Sequence, residues 1–259
     1  GDDFDQHEMH AITASACDIV LSHCPFSVLK FKEKGYEAYP ISFEISNLKK
    51  VDVKKDIDVL FFGYLTPDRE IFLEYISKQG ISIKNVGHDG NGKELDKKEL
   101  IDFISKSKII LNMSKSKTTF VQNHSSESIY RYYYQFKGRI ILAGLLGAAC
   151  VSEYSPGQEL LFHEKEVPTF FDKEECVKIL KKLLSDQKLL DEYTKNFNEK
   201  VNNLWDDKNN FEPIAKAIDK KNNRRVKLLK FPYWYLRIAA KQIILRNIKL
   251  SSLMKTVFQ

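Results

Sequence analysis

The sequence predicts an α/β fold, a mostly parallel sheet covered by helices on both faces. Short apolar runs of strand length recur along the chain, and each is followed by a segment with helical periodicity. Glycine or proline marks many of the joins. Strands that are apolar on both sides suit a parallel sheet, because crossover helices bury both of its faces. No internal repeat is evident.

Residues 5–14 have a helical pattern. Residues 17–22 (CDIVLS) read as a short buried strand, 25–34 as a helix opened by Pro25 and stopped by Gly35, and 37–41 as another strand. Together they form a β-α-β unit. Residues 42–55 are polar and Lys-rich without a sustained period, and read as a linker. A second series starts with the strand 57–62 (IDVLFF), which ends at Gly63, and a helix over 68–78 ended by Gly80. A strand over 81–86, a glycine-rich loop over 87–93 and a helix over 96–105 follow. The next strand is 108–113 (KIILNM), and its polar loop is 114–126. Residues 128–146 are expected to be largely helical, in two pieces broken near Gly138. The strand 148–153 (AACVSE) leads through Ser155-Pro156-Gly157 into a short helix reaching Phe162, then a weak strand over 166–171. Amphipathic helices over 172–185 and 186–204 and a further helix over 211–221 complete the body.

At 259 residues, 43% hydrophobic and 29% charged, the composition is that of a globular chain of one or two domains. It excludes disorder over most of the length, and 11 Gly, 7 Pro and 4 Cys exclude collagen-like and disulfide-scaffold classes. Cys17, Cys24, Cys150 and Cys176 form no CxxC pair and are expected as free thiols in a reducing cytoplasm. The longest apolar run, 140–151, falls short of the about 20 residues a bilayer span requires. Gly1-Asp2-Asp3 does not read as a secretory signal.

Charge is unevenly spread. Residues 220–259 hold 11 basic side chains and no acidic one, whereas the first 219 hold 30 basic against 35 acidic. Such asymmetry points to an anionic partner surface. After Pro232, which can open a helix, Leu236, Ala239, Ala240, Ile243, Ile244 and Leu250 share one arc. Arg237, Lys241, Arg246 and Lys249 lie outside that arc, and Asn247 interrupts it. A basic amphipathic helix with interfacial Trp234 suits an anionic membrane, with Arg224, Arg225, Lys227, Lys230, Trp234, Arg237 and Lys241 as contact residues. The same apolar face also suits docking on another part of the protein. No nucleic-acid motif accompanies the charge, so no nucleic-acid partner is expected.

Gly87–Lys93 nearly fits a phosphate-cradling GxxxxGK[ST] loop, but Glu94 stands where a Mg²⁺-ligating hydroxyl belongs, so a glycine turn is expected. Asp56-Ile57-Asp58 reads as solvated charge at the start of a strand. The six histidines are scattered, and His7 with His10 lack a third ligand, so no metal is expected. The run Tyr130-Arg131-Tyr132-Tyr133-Tyr134 fits core or interface packing and, alternatively, stacking on a base.

The richest stretch is 135–162, QFKGRIILAGLLGAACVSEYSPGQELLF. Lys137 and Arg139 open a helix, where two cations and backbone N–H groups suit a diphosphate. Glu153 closes the following strand and Ser155-Pro156-Gly157 opens the next helix, all at the carboxyl ends where open α/β sheets bind ligands. A surface cation pair and a structural turn are the plainer alternative.

This stretch resembles the donor-domain signature of GT-B glycosyltransferases, in the branch with CgeB-like spore-coat proteins. The family pattern K-x-R-x-F-E-A-x-x-x-G, then V-S-E-Y-x-P-G-x-E-x-L-F, is matched at Lys137, Arg139, Ala143, Gly147, Val151, Ser152, Glu153, Tyr154, Pro156, Gly157, Glu159, Leu161 and Phe162. Residues 58–69 (DVLFFGYLTPDR) resemble the first strand and turn of that domain, and 108–114 (KIILNMS) a later strand. The likeness covers roughly 56–204. Leu142 stands where the family has the Glu that grips ribose, and Ile141 replaces its aromatic.

The resemblance implies a Rossmann-like donor-binding domain over 51–219, preceded at 1–50 by the end of an acceptor-type Rossmann-like domain and followed at 220–259 by the basic tail. Most of the acceptor domain is expected to lie outside this sequence. It also implies metal-independent sugar transfer, with no cofactor, from a nucleotide-sugar donor to a cell-envelope or polysaccharide acceptor, glycan or lipid-linked. Lys137, Arg139 and Glu153 are the catalytic candidates. Gly63, Arg69, Asn112, Ser155, Pro156, Gly157 and Glu159 are the donor-binding ones. Asp3 and His7 are candidate acceptor-side bases. The expected location is cytoplasmic, peripheral at the inner face of the membrane. A catalytically silent scaffold of the same fold, recruited by the tail, is the alternative that Leu142 permits.

Overall fold

The computed structural model describes residues 10–11, 13–42, 48, 52–87, 95–115 and 134–219. The glycine loop from 88 onward, the tyrosines at 130–133, Asp3, His7 and the tail over 220–259 lie outside the described residues. The tail includes the membrane-contact candidates Arg224, Arg225, Lys227, Lys230, Trp234, Arg237 and Lys241.

The chain opens with a small unit. Strands β1 (Val20–Ser22) and β2 (Ala38–Pro40) pair in parallel with Val20 opposite Ala38, joined by helix α1 (Pro25–Glu33). Pro25 supplies the helical φ of the first turn without leaving an orphan N–H. Val28 and Phe31 of α1 bury against Ala11, Ala14 and Ala38.

The main sheet has five strands in the order β4-β3-β5-β6-β7, every neighbouring pair parallel. They are β3 (Ile57–Phe61), β4 (Ile83–Asn85), β5 (Ser107–Asn112), β6 (Ala149–Glu153) and β7 (Thr169–Phe170). The crossovers are α2 (Pro67–Lys78), α3 (Lys97–Ser105), α4 (Gly138–Leu145) and the short α5 (Pro156–Glu159). Helices α6 (Lys173–Ser185), α7 (Gln187–Leu204) and α8 (Asp207–Asp219) follow.

Local signals explain the helix starts. Thr66 caps α2, Asp96 and Glu99 form a reciprocal capping box on α3, and Asp172 and Asp186 cap α6 and α7. Strand period explains the layers. Leu60, Ile110 and Cys150 point to one core, with Ile104 of α3, Ile140 of α4 and Phe197 of α7. Val59, Phe61, Ile109, Leu111 and Val151 point to the other, with Leu73 and Ile76 of α2 and Val177 and Leu180 of α6. The sheet is thus covered on both faces, as the apolar runs predict.

Helices α4 and α7 cross unusually closely at Gly144. A Cβ there would lie 2.4 Å from Val201 Cγ2, and Asn198 Nδ2 donates to the Gly144 carbonyl at 2.6 Å. At the far end, the Asn210 side chain accepts from the Ser42 N–H at 3.0 Å and donates to the Ser42 carbonyl at 3.2 Å. This buried pair ties α8 to the segment leaving β2, while α1 packs on α5.

Three expectations are corrected. Residues 134–137 are not helical: Tyr134 forms an antiparallel bridge with Lys115, and the Gln135 N–H donates to the Ser114 carbonyl at 2.9 Å. Gly138 therefore starts a helix where a break was expected. The last helix begins at Asp207 and runs through Pro213, earlier than its apolar pattern suggested. Asp58 also has a partner across the sheet, Lys108 at 2.6 Å, so it is not merely solvated charge.

Candidate active site

The site is assembled at the carboxyl ends of β3, β5 and β6. The N-terminal turn of α4 faces them, with Lys137 extended at the N-cap and no side chain capping the turn. Arg139, in that turn, reaches back over the end of β3. Its guanidinium carbon lies 5.4 Å from the Phe61 ring centroid and 5.5 Å from that of Phe62. Both contacts are within cation–π range.

Gly63 makes this approach possible. A Cβ on it would fall 2.6 Å from Arg139 Nη2, and its φ of 110° is one that side chains with a Cβ rarely adopt. Arg139 Nη1 is buried and has no hydrogen-bond partner. Burial, and then the nearby Arg69 cation, push the Arg139 guanidinium down to about 9. Cys150 is no counter-ion, because burial pushes its thiol up to about 12 and it stays protonated.

Arg69 and Glu153 grip one loop from two sides. From the first turn of α2, Arg69 donates to the carbonyls of Tyr64, Met113 and Lys115. Burial lowers its pKa, and the Glu153 charge opposes that shift. Glu153, closing β6, accepts from the Ser114 and Lys115 N–H groups at 2.9 Å each. The loop after β5 is therefore held by its carbonyls on one side and its amides on the other.

The remaining expected residues are placed as follows. Lys137 Nζ donates to Gln135 Oε1, and the charged neighbour of Arg139 is Arg69. Asn112 is among the expected donor-binding residues. It is fully buried instead, donating to Ser152 Oγ at 2.7 Å and locking β5 to β6. Ser155 precedes α5 with its hydroxyl buried and unbonded, Pro156 is the first residue of that helix, and Gly157 packs on Phe136 and Cys24. Glu159 accepts from the Tyr154 hydroxyl at 2.9 Å.

Sequence reasoning missed the aromatic surroundings. Phe61 and Phe62 support Arg139, and Phe171 stacks on Tyr154 with ring centroids 5.1 Å apart. The signal was present in two Phe-Phe pairs. In a strand of period two, both members cannot enter the same core.

A guanidinium with a buried, unbonded Nη1, next to the Arg69 cation and an uncapped helix N-terminus, favours an anion there. A family model described as glycosyl transferase-like matches residues 55–215. The chain belongs to that family. The match nearly coincides with the stretch in which the donor-domain resemblance was read, and the enzyme class is that of a glycosyltransferase.

Solved structures bear out the GT-B fold. HepE of Anabaena, in complex with UDP-glucose, superposes with a TM-score of 0.60 at 13% identity, over 83% of this chain and 68% of that one. TarM of S. aureus gives 0.59 at 10% identity, over 83% and 46%. Sucrose-phosphate synthase of Thermosynechococcus elongatus gives 0.54 at 13% identity, over 84% and 61%. No curated protein matches the sequence. Among the described residues of this glycosyltransferase, no helix is long and apolar enough to cross a membrane.

Proposed function

We propose that this glycosyltransferase takes its sugar from a nucleotide-sugar donor whose diphosphate sits at the α4 N-terminus against Arg139 and Arg69. One observation carries the reading: Arg139 stands beside a second cation, with a buried Nη1 that nothing bonds. A diphosphate dianion would supply the missing counter-charge and acceptors. HepE is described with UDP-glucose, and with UDP and glucose. The pneumococcal GtfA, at a TM-score of 0.54, is described with UDP and GlcNAc.

In transfer, the bond from the anomeric carbon to the diphosphate oxygen breaks as an acceptor hydroxyl attacks. Negative charge grows on the leaving diphosphate. Arg139, Lys137 and the α4 N-terminus would stabilise it without a metal. Glu153 acts as a positioning residue for the loop after β5, and Arg69 braces the same loop while adding its charge to the diphosphate site. Leu142 cannot bond ribose, so nucleoside recognition falls to other groups. The acceptor is a cell-envelope or polysaccharide glycan, and the basic tail holds the enzyme at an anionic inner membrane face.

Uridine or guanosine diphosphate should raise the melting temperature, and the double variant Lys137→Ala with Arg139→Ala should abolish that rise. No rise with any nucleoside diphosphate or nucleotide sugar would sink the proposal. Slow hydrolysis of a nucleotide sugar by the wild type separates an enzyme from a silent scaffold.

A further inference from the structure

Next to Glu153, at the carboxyl end of β6, stands an aromatic stack with an exposed outer member. Phe171, just after β7, is 67% exposed, although it is large and apolar. Its ring stacks on Tyr154 with planes 23° apart, and Tyr154 meets Tyr134 edge-on at 6.3 Å. The stack is fixed in place. The Tyr154 N–H donates to the Phe170 carbonyl at 3.0 Å, the Phe171 N–H to the Glu175 carboxylate at 2.9 Å, and the Tyr154 hydroxyl to Glu159. A planar partner landing there would order little that is not already ordered.

We propose that Phe171, backed by Tyr154, is the stacking platform for the nucleobase of the donor. This rests on the reading of Arg139 and Arg69 as the diphosphate site. Placement supports it: Tyr154 directly follows Glu153 at the end of β6, two strands from β3 and the arginines. That is about 10 Å at ordinary strand spacing, with β7 at about 14 Å. An extended nucleoside diphosphate laid across the strand ends carries its base over that kind of span. Chemistry supports it as well, since every base offers a π-face to an aromatic ring. With Leu142 in the ribose-gripping position, stacking gives the nucleoside an anchor that needs no carboxylate there.

The test is titration calorimetry on the full chain with uridine diphosphate and, separately, inorganic pyrophosphate. Phe171→Ala should weaken uridine diphosphate binding by about tenfold and leave pyrophosphate binding unchanged. Phe171→Tyr should keep wild-type affinity. Because Phe171 is exposed, Phe171→Ala should fold with an unchanged melting temperature. Equal affinity of Phe171→Ala and wild type for uridine diphosphate overturns the platform alone. Equal weakening toward pyrophosphate also overturns it. A wild type that binds neither probe overturns the diphosphate reading itself.

Discussion

A guanidinium wedged between Phe61, Phe62 and Gly63, with another guanidinium as its charged neighbour, destabilises the protein that holds it. Arg139→Met should therefore raise the stability of the ligand-free protein by about 1 kcal/mol or more in chemical denaturation, while losing the nucleotide-induced shift. The pH dependence has two signs. Below about 9 Arg139 is charged in both folded and unfolded chains, and the cost of burial is felt in full. Above about 9, and until the ordinary guanidinium range is reached, the folded protein sheds a proton that the unfolded chain keeps, so this group's contribution to stability rises with pH. Anion binding runs the other way, at full strength below about 9 and falling above it as the cation is lost, at up to about tenfold per pH unit. Calorimetric titration of uridine diphosphate from pH 7 to about 10 checks it, and an affinity that holds level throughout would contradict the assignment. Gly63→Ala should cost about 1–2 kcal/mol from backbone strain alone and weaken nucleotide binding by displacing Arg139.

Among the elements, the α4–α7 crossing is the tightest joint. Gly144→Ala should destabilise by about 1–3 kcal/mol through overpacking against Val201. Val201→Ala in the same chain should recover much of that loss, and a double-mutant cycle in urea measures the coupling. Most elements were legible because burial selects apolar residues at strand period and because caps mark helix starts. IDVLFF and KIILNM became β3 and β5, and the Asp96–Glu99 box opened α3. Residues 134–137 misled because a bridge to Lys115, remote in sequence, overrode a locally helical composition. At the site, the placement of Arg139 in the first turn of α4 and of Glu153 at the end of β6 was legible, whereas Lys137 turns to Gln135 and does not join Arg139. Which groups Glu153 and Asn112 bond, and that Arg69 faces Arg139, depend on contacts between strands that no local pattern encodes.

At the scale of the whole molecule, a mildly acidic body carries a strongly basic tail. Binding to anionic vesicles should fall steeply with salt and vanish when 220–259 is deleted, as liposome pelleting would show. Equal pelleting after deletion would remove the tail from membrane recruitment. The arginine pair has a wider consequence. On the proposed reading an incoming diphosphate relieves part of its repulsion, so the donor sugar nucleotide would double as a folding ligand. A cell short of donor would clear this enzyme faster, and one rich in donor would retain it, so the standing amount of enzyme would track substrate supply without a separate regulator.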